Sequence, residues 1–224
     1  MEFYPVINCS EFACVKHRVE ACKTFLPRDG MIHLDIADAR FTFGKTWGTP
    51  ALWKRLHIPF PMEVHLMVEK PEEVAGDWLD AGAKRVIVHI EALARTHAGT
   101  PKDFRPALTV ILAACTAKKA ELMLALSPGT PVEEIMPFIK TTKLFQVLAV
   151  EPGPSGQKII PSSIEKIRHL RKLIPKNAKI EVDGGITLET ARAVKLAGAD
   201  IVVSGSYLFK SPHPLLTYRK FIEL

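Results

Sequence analysis

An α/β fold, a single-domain (β/α)8 barrel of the TIM type over residues 1–224, is what this sequence predicts, and three observations predict it. Short β-branched runs alternate with helix-length segments along the whole chain. The runs are apolar throughout instead of alternating with polar residues, the pattern of parallel strands covered by helices. Two units also echo each other, since "DAGAKRVIVHI" and "LAGADIVVSGS" both read helix end, Ala-Gly-Ala, polar residue, buried strand. A βα repeat in 224 residues matches the roughly 200–250 residues of a closed eight-unit barrel. An open doubly wound sheet fits less well, because no GxGxxG follows the first run.

Taken in order, the candidate strands are "YPVIN", "MIHLDI", "MEVHLM", "RVIVHI", "LMLAL", "LFQVLAV", "KIEVDG" and "DIVVSG". Helices between them carry start and stop signals. In "KPEEVAGDWLDAGA", Pro71 falls in the first turn and Gly82 at the end; in "TLETARAVKLAGA", Thr187 is the expected N-cap and Gly198 the stop. The least regular stretch, residues 94–106, reads as an extended loop. No Pro/Gly/Ser linker divides the chain.

Composition narrows the function classes. Lys and Arg number 30 against 24 Asp and Glu, a net charge of +6, but the basic residues are scattered over segments such as "EKIRHLRKLIPK". Scattered charge is a solvated surface, so no nucleic-acid partner is expected, and a small phosphorylated molecule is the better anionic ligand. No apolar stretch reaches the ~18 residues of a membrane span, and the start lacks a basic segment followed by an apolar run. Cys9, Cys14, Cys22 and Cys115 form no metal-finger spacing, so four reduced thiols and a cytoplasmic location are expected.

Polar residues at strand ends are where chemistry is expected in a barrel. His33 and Asp35 lie two apart on the second strand and share a face, with Ile32, Leu34 and Ile36 turned the other way. His65 and Met67 share a face on the third strand, and Asp183 ends the seventh. Singly, a core histidine is ordinarily a satisfied hydrogen-bonding group, Met67 ordinary core, and an Asp before two glycines a turn residue. Together, two imidazoles and two carboxylates make a mixed N/O set suited to a divalent transition metal, and the two aspartates also suit an acid/base pair. Glycines form a second group: "EPGPSGQ" at 151–157, "DGGI" at 183–186 and "SGS" at 204–206. Turn chemistry explains any one of them, whereas three in successive units favour phosphate held by backbone amides.

These motifs resemble those of the ribulose-phosphate 3-epimerase family, essentially from end to end. "HLDIAD" is similar to its His-x-Asp strand, "EVHLMVEKPEE" to its second histidine motif and "HIEA" to its fourth strand end. "ALSPGTPVEEI", "VEPGPSGQKIIP", "IEVDGGITLETA" and "AGADIVVSGSYLF" resemble its last four units. The resemblance implies one divalent metal, zinc, manganese, iron or cobalt, on His33, Asp35, His65 and Asp183. It implies that Asp35 and Asp183 exchange the C3 proton of a ketopentose phosphate from opposite faces, interconverting D-ribulose 5-phosphate and D-xylulose 5-phosphate. It further implies substrate contacts from Cys9 (where the family commonly has serine), Met67, Gly153, Gly156, Gly184, Gly185, Gly205 and Ser206.

Departures from the family pattern rebuild the pocket wall. Ala37-Asp38-Ala39 stands for Met-Asp-Gly, Leu148 for a methionine, and Pro154-Ser155 changes the sixth loop. Two rivals follow: an epimerase or aldolase for another ketose phosphate such as a hexulose 6-phosphate, and a non-catalytic phosphosugar-binding barrel. The sequence leaves a homo-oligomer open.

Overall fold

The computed structural model describes residues 1–94, 101–153 and 155–224. Of the stretch expected to be an extended loop, residues 95–100 lie outside them, as does Pro154; of its described residues, Ala94, Arg105 and Pro106 are helical.

Eight parallel strands close into a barrel in sequence order: β1 (Glu2–Ile7), β2 (Ile32–Ala37), β3 (Met62–Met67), β4 (Arg85–His89), β5 (Glu121–Leu126), β6 (Leu144–Leu148), β7 (Lys179–Asp183) and β8 (Ile201–Ser204). The eight expected runs match these strands. Helices α1 (Phe12–Cys22), α2 (Pro50–Arg55), α3 (Pro71–Asp80), α4 (Ile90–Ala94), α5 (Arg105–Lys118), α6 (Ser162–Leu173), α7 (Leu188–Ala197), α8 (Ser206–Phe209) and α9 (Pro214–Ile222) surround it. After β5 the chain makes a 3-10 helix, Val132–Phe138, in place of an α-helix. Pro137 inside it has no amide hydrogen to give to a carbonyl one turn back, which disfavours a regular α-helix there.

The start and stop signals work as read. Thr187 caps α7 in a reciprocal box with Thr190, and Pro71 opens α3. The Ala-Gly-Ala echo is a repeated helix stop. Gly82 and Gly198 both turn left-handed, at φ +107° and +113°. In both units the following alanine amide then reaches back to a helix carbonyl, Ala83 to Trp78 and Ala199 to Val194. Helix α3 shows how the shell is held, since Pro71, Ala75, Trp78 and Leu79 recur every three to four residues on its buried face. Burial of each large apolar side chain contributes roughly 1.5–3 kcal/mol.

Alternation along the strands separates two compartments. Phe3, Ile7, Ile32, Leu34, Ile36, Val64 and Leu66 belong to the large core between sheet and helices. Tyr4, Val6, Ile87, Met123, Ala125, Leu144, Ile201 and Val203 fill the inside of the barrel. That interior is lopsided: β1, β5 and β8 line it largely with apolar groups, while β2, β3 and β7 bring buried His33, Asp35, Glu63, His65, Glu181 and Asp183.

The cysteine expectation is corrected here. Cys9 and Cys14 are joined as a disulfide, and only Cys22 and Cys115 are free thiols. The tight turn between β1 and α1 brings two residues of sequence separation 5 to a Cα distance of 5.7 Å, within disulfide reach. Among the described residues, no helix is long and apolar enough to cross a membrane.

Candidate metal centre and active site

Strand register assembles the site. Asp35 pairs with His65 across β2 and β3, so a carboxylate and an imidazole on neighbouring strands rise to the same height. Asp183 ends β7, opposite Leu148 of β6. His33 Nε2 lies 3.2 Å from Asp35 Oδ1 and 3.9 Å from Asp183 Oδ2. His65 Nδ1 lies 3.1 Å from Asp35 Oδ1 and 3.3 Å from Asp183 Oδ2. Four donors bonded to one ion at ~2.0–2.2 Å sit about 3.0–3.5 Å apart at neighbouring coordination positions. Three of the observed spacings suit that set and the fourth, His33 to Asp183, is wider at 3.9 Å, with every ligand atom within 4.8 Å of the others. His33, Asp35, His65 and Asp183 thus come together as the sequence anticipates, and they fit a divalent ion in donor chemistry as well as spacing.

Electrostatics agree with a site built for a cation. Burial alone would raise the Asp35 carboxyl, but hydrogen bonds and charge from His33 and His65 outweigh it and hold that group well below the usual range. Burial alone would lower the two imidazoles. The carboxylates around them win, and both are raised above the ordinary histidine value. A bound divalent ion would take the place of those protons.

Residues that sequence reasoning missed support these ligands. Glu63, on the same face of β3 as His65, accepts from His33 Nδ1 at 2.7 Å. Its other oxygen accepts from Arg85 Nη1 at 2.6 Å, and Arg85 also reaches Glu121. Beside them, Gln146 donates to Glu181 Oε1 at 3.0 Å. Burial and the Glu63 charge push Glu181 well up, whereas His33 and Arg85 hold Glu63 below its ordinary value against burial. His33, Glu63 and Glu181 also stand close enough to hold an ion, but the Arg85 guanidinium already balances that negative charge.

Asn8 is another such residue. Its amide donates to Asp35 Oδ2 at 2.8 Å, leaving Oδ1 to face the imidazoles. The expectation for Cys9 is corrected accordingly. Cys9 lies in the outer core with its sulfur bonded to Cys14, while Asn8, one residue earlier and so on the opposite face, lines the cavity.

Above the metal-ligand set opens a cavity of about 840 Å³ with Asp35, Asp183, Met67, Leu148 and Val150 around its floor. Its wall includes Gly153, Gly156, Gly184, Gly185, Gly205 and Ser206, along with Lys158 and Lys210. Gly185 is forced to be glycine. Its φ is +68°, and a Cβ there would stand 2.2 Å from the Ile159 amide nitrogen. That contact packs the loop after β7 against the loop after β6.

The altered β2 end has a cost. Asp38 fastens it, accepting from the amides of Arg40 and Phe41 and, across to the end of β3, from Glu69. This tie leaves Ala39 left-handed at φ +63°. Ala39→Gly is expected to stabilise the protein by about 0.5–1 kcal/mol, the relief of strain less the entropy that glycine adds to the unfolded chain. Thermal denaturation checks this, and a lower melting temperature contradicts it.

Comparisons with known proteins agree with this architecture. Residues 4–209 match the model of the "Ribulose-phosphate 3 epimerase family". A ribulose-phosphate 3-epimerase of Chlamydia muridarum is 38% identical over 187 residues, covering 80% of this chain and 76% of its own. The cytoplasmic isoform of Oryza sativa subsp. japonica is 34% identical over 199 residues, covering 86% and 82%. Among solved structures, KGPDC from Streptococcus mutans in complex with D-R5P superposes with a TM-score of 0.71 at 12% identity, covering 99% of this chain and 96% of its own. The 3-hexulose-6-phosphate synthase of Salmonella typhimurium gives 0.63 at 16% identity, covering 100% and 97%. At such identities the structural likeness speaks for the barrel alone. The family match and the relatives above 30% identity go further: this chain belongs to the ribulose-phosphate 3-epimerase family, whose members are isomerases.

Proposed function

We propose that this enzyme interconverts D-ribulose 5-phosphate and D-xylulose 5-phosphate by moving the C3 proton. One observation carries the reading: two carboxylates from different strands, Asp35 and Asp183, reach the floor of one cavity and converge on the same two imidazoles. A phosphosugar-binding protein needs no such pair.

When bound by His33, His65, Asp35 and Asp183, a divalent ion would supply Lewis-acid stabilisation of the negative charge that develops on substrate oxygens. The protein's own groups do the rest. β2 and β7 are separated by β1 and β8 in the barrel, so the two carboxylates approach C3 from different directions. One takes the proton from C3, and the other gives a proton to the opposite face. Asn8 holds Asp35 in place during the transfer. Met67, Leu148 and Val150 form an apolar wall that keeps water from the reacting carbon. The amides of Gly184, Gly185, Gly205 and Ser206, with Gly153 and Gly156 of the neighbouring loop, receive the phosphate, and Lys158 and Lys210 draw it in by charge. Cytoplasmic location belongs to the same reading, as phosphorylated sugars are made and kept inside cells; the Cys9–Cys14 disulfide is the observation against it.

The test is metal-replete protein with ribulose 5-phosphate in deuterated solvent, followed by NMR. Deuterium at C3 together with xylulose 5-phosphate is the expected result. Faster turnover of a hexulose 6-phosphate would redirect the reading to a longer sugar, and no exchange with either sugar would leave a binding role.

A further inference from the structure

Behind the ligand His65 runs a chain of polar groups, buried at His89 and partly buried at Glu91 and Ser127, to which neither the ligand set nor the phosphate site assigns a role. His65 Nε2 stands 2.9 Å from Nε2 of His89, and the two rings stack at 5.0 Å. His89 Nδ1 lies 3.2 Å from Glu91 Oε2 and 3.1 Å from the Ser127 hydroxyl. Glu91 is itself fixed, because its Oε1 accepts from the Ser127 amide at 2.8 Å. Lys166 anchors that loop through the carbonyls of Ser127 and Pro128, and the Phe41 ring covers His89 at 4.9 Å.

Two imidazole nitrogens in contact must share one hydrogen, one donating and one accepting. A nitrogen that ligates a metal carries no proton, and His65 turns Nδ1 toward Asp35 and Asp183. Its proton therefore sits on Nε2 and is donated to His89 Nε2. A neutral His89 then carries its own proton on Nδ1, which the Glu91 carboxylate accepts. Every donor in the chain points away from the metal.

We propose that His89 and Glu91 are positioning residues that lock His65 in the tautomer whose Nδ1 accepts a divalent cation, so that Glu91, outside the ligand set, governs metal affinity. The proposal rests on the metal-site reading above. It also accounts for an asymmetry at the nitrogens turned away from the metal set: that of His33 meets the Glu63 carboxylate directly, whereas that of His65 reaches Glu91 only through a second imidazole.

Glu91→Gln tests it without changing shape. The Ser127 amide takes the new carbonyl oxygen, which turns the amide NH2 toward His89 Nδ1. His89 must then accept there and donate from Nε2, and the proton of His65 is driven onto Nδ1, where the cation would bind. Ser127→Ala is added to remove the alternative acceptor for His89. Metal-free protein is titrated with Co2+ and followed by visible absorption. The Glu91→Gln/Ser127→Ala protein is expected to bind about 10- to 100-fold more weakly than Ser127→Ala alone, with altered absorption bands. Its metal-free melting temperature stays within about 4 °C of that parent. His89→Phe keeps the ring but removes the acceptor, and should weaken binding similarly. Should the double variant fold poorly, long-range 1H–15N correlation on zinc-loaded wild type decides, the expected protons being on His65 Nε2 and His89 Nδ1. Equal Co2+ affinity in both proteins, or the opposite tautomers, overturns the relay and leaves the metal site standing. Absence of Co2+ binding by wild type overturns both.

Discussion

Asp35→Asn and Asp183→Asn are each expected to lower kcat/KM on ribulose 5-phosphate by roughly 10²- to 10⁴-fold, the usual worth of a positioned acid or base. The substitution keeps the size and planarity of the group but removes the charge and the ability to carry a proton. Both residues also belong to the ligand set, so loss of metal could imitate loss of the base. His33→Ala separates the two effects, for it removes a ligand while sparing both carboxylates. With metal added to saturation, His33→Ala should recover part of its C3 exchange while the two asparagine variants stay inactive. The readout is deuterium incorporation at C3 alongside metal content. More than a tenth of wild-type turnover in either metal-loaded asparagine variant would show that this carboxylate moves no proton.

What the sequence made legible follows from alternation along strands. His33 with Asp35 and His65 with Met67 are pairs two residues apart, and a strand puts such pairs on one face whatever its neighbours do. The ends of α3 and α7 were equally local, because Pro71, Thr187, Gly82 and Gly198 act within a turn of their own position. Glu63 and Glu181 lie on those same faces, but nothing local marks them. Their burial is made tolerable by Arg85 and Gln146, which come from other strands and meet them only when the barrel closes. His89 and Glu91 are also two residues apart, and their meaning depends on contact with His65 of the neighbouring strand. The substrate contact expected at Cys9 followed family resemblance; alternation from Tyr4 and Val6 would have pointed to Asn8. No spacing rule reveals the Cys9–Cys14 bond, which needs the turn after β1 to fold back on itself.

Arg85→Met is the stability counterpart of the aspartate variants. Arg85 is 6% exposed, and its guanidinium lies between buried Glu63 and the rim residue Glu121. Methionine fills much of the same volume but strips the ionised Glu63 of its guanidinium partner, leaving His33 alone against its charge. Removing one partner of a buried ion pair costs roughly 3–5 kcal/mol, which in a chain of this size lowers the melting temperature by about 10 °C or more. The penalty depends on pH in a definite direction. With Arg85 present, Glu63 is held below its ordinary value in the folded state. Without it, burial and the His33 contact remain, and the loss of the Arg85 charge moves the folded-state value upward from that of the wild type. Folding then stabilises ionised Glu63 less than in the wild type, so the deficit is largest at neutral and alkaline pH and shrinks as pH falls into the carboxylate range. Glu63→Gln combined with Arg85→Met removes the stranded charge and should recover part of the loss at neutral pH. Melting curves of wild type, single and double variants at pH 5 and pH 8 decide the matter. An Arg85→Met protein that melts within about 3 °C of wild type at pH 8, or whose deficit grows in acid, would mean that Glu63 does not depend on Arg85 for its charge.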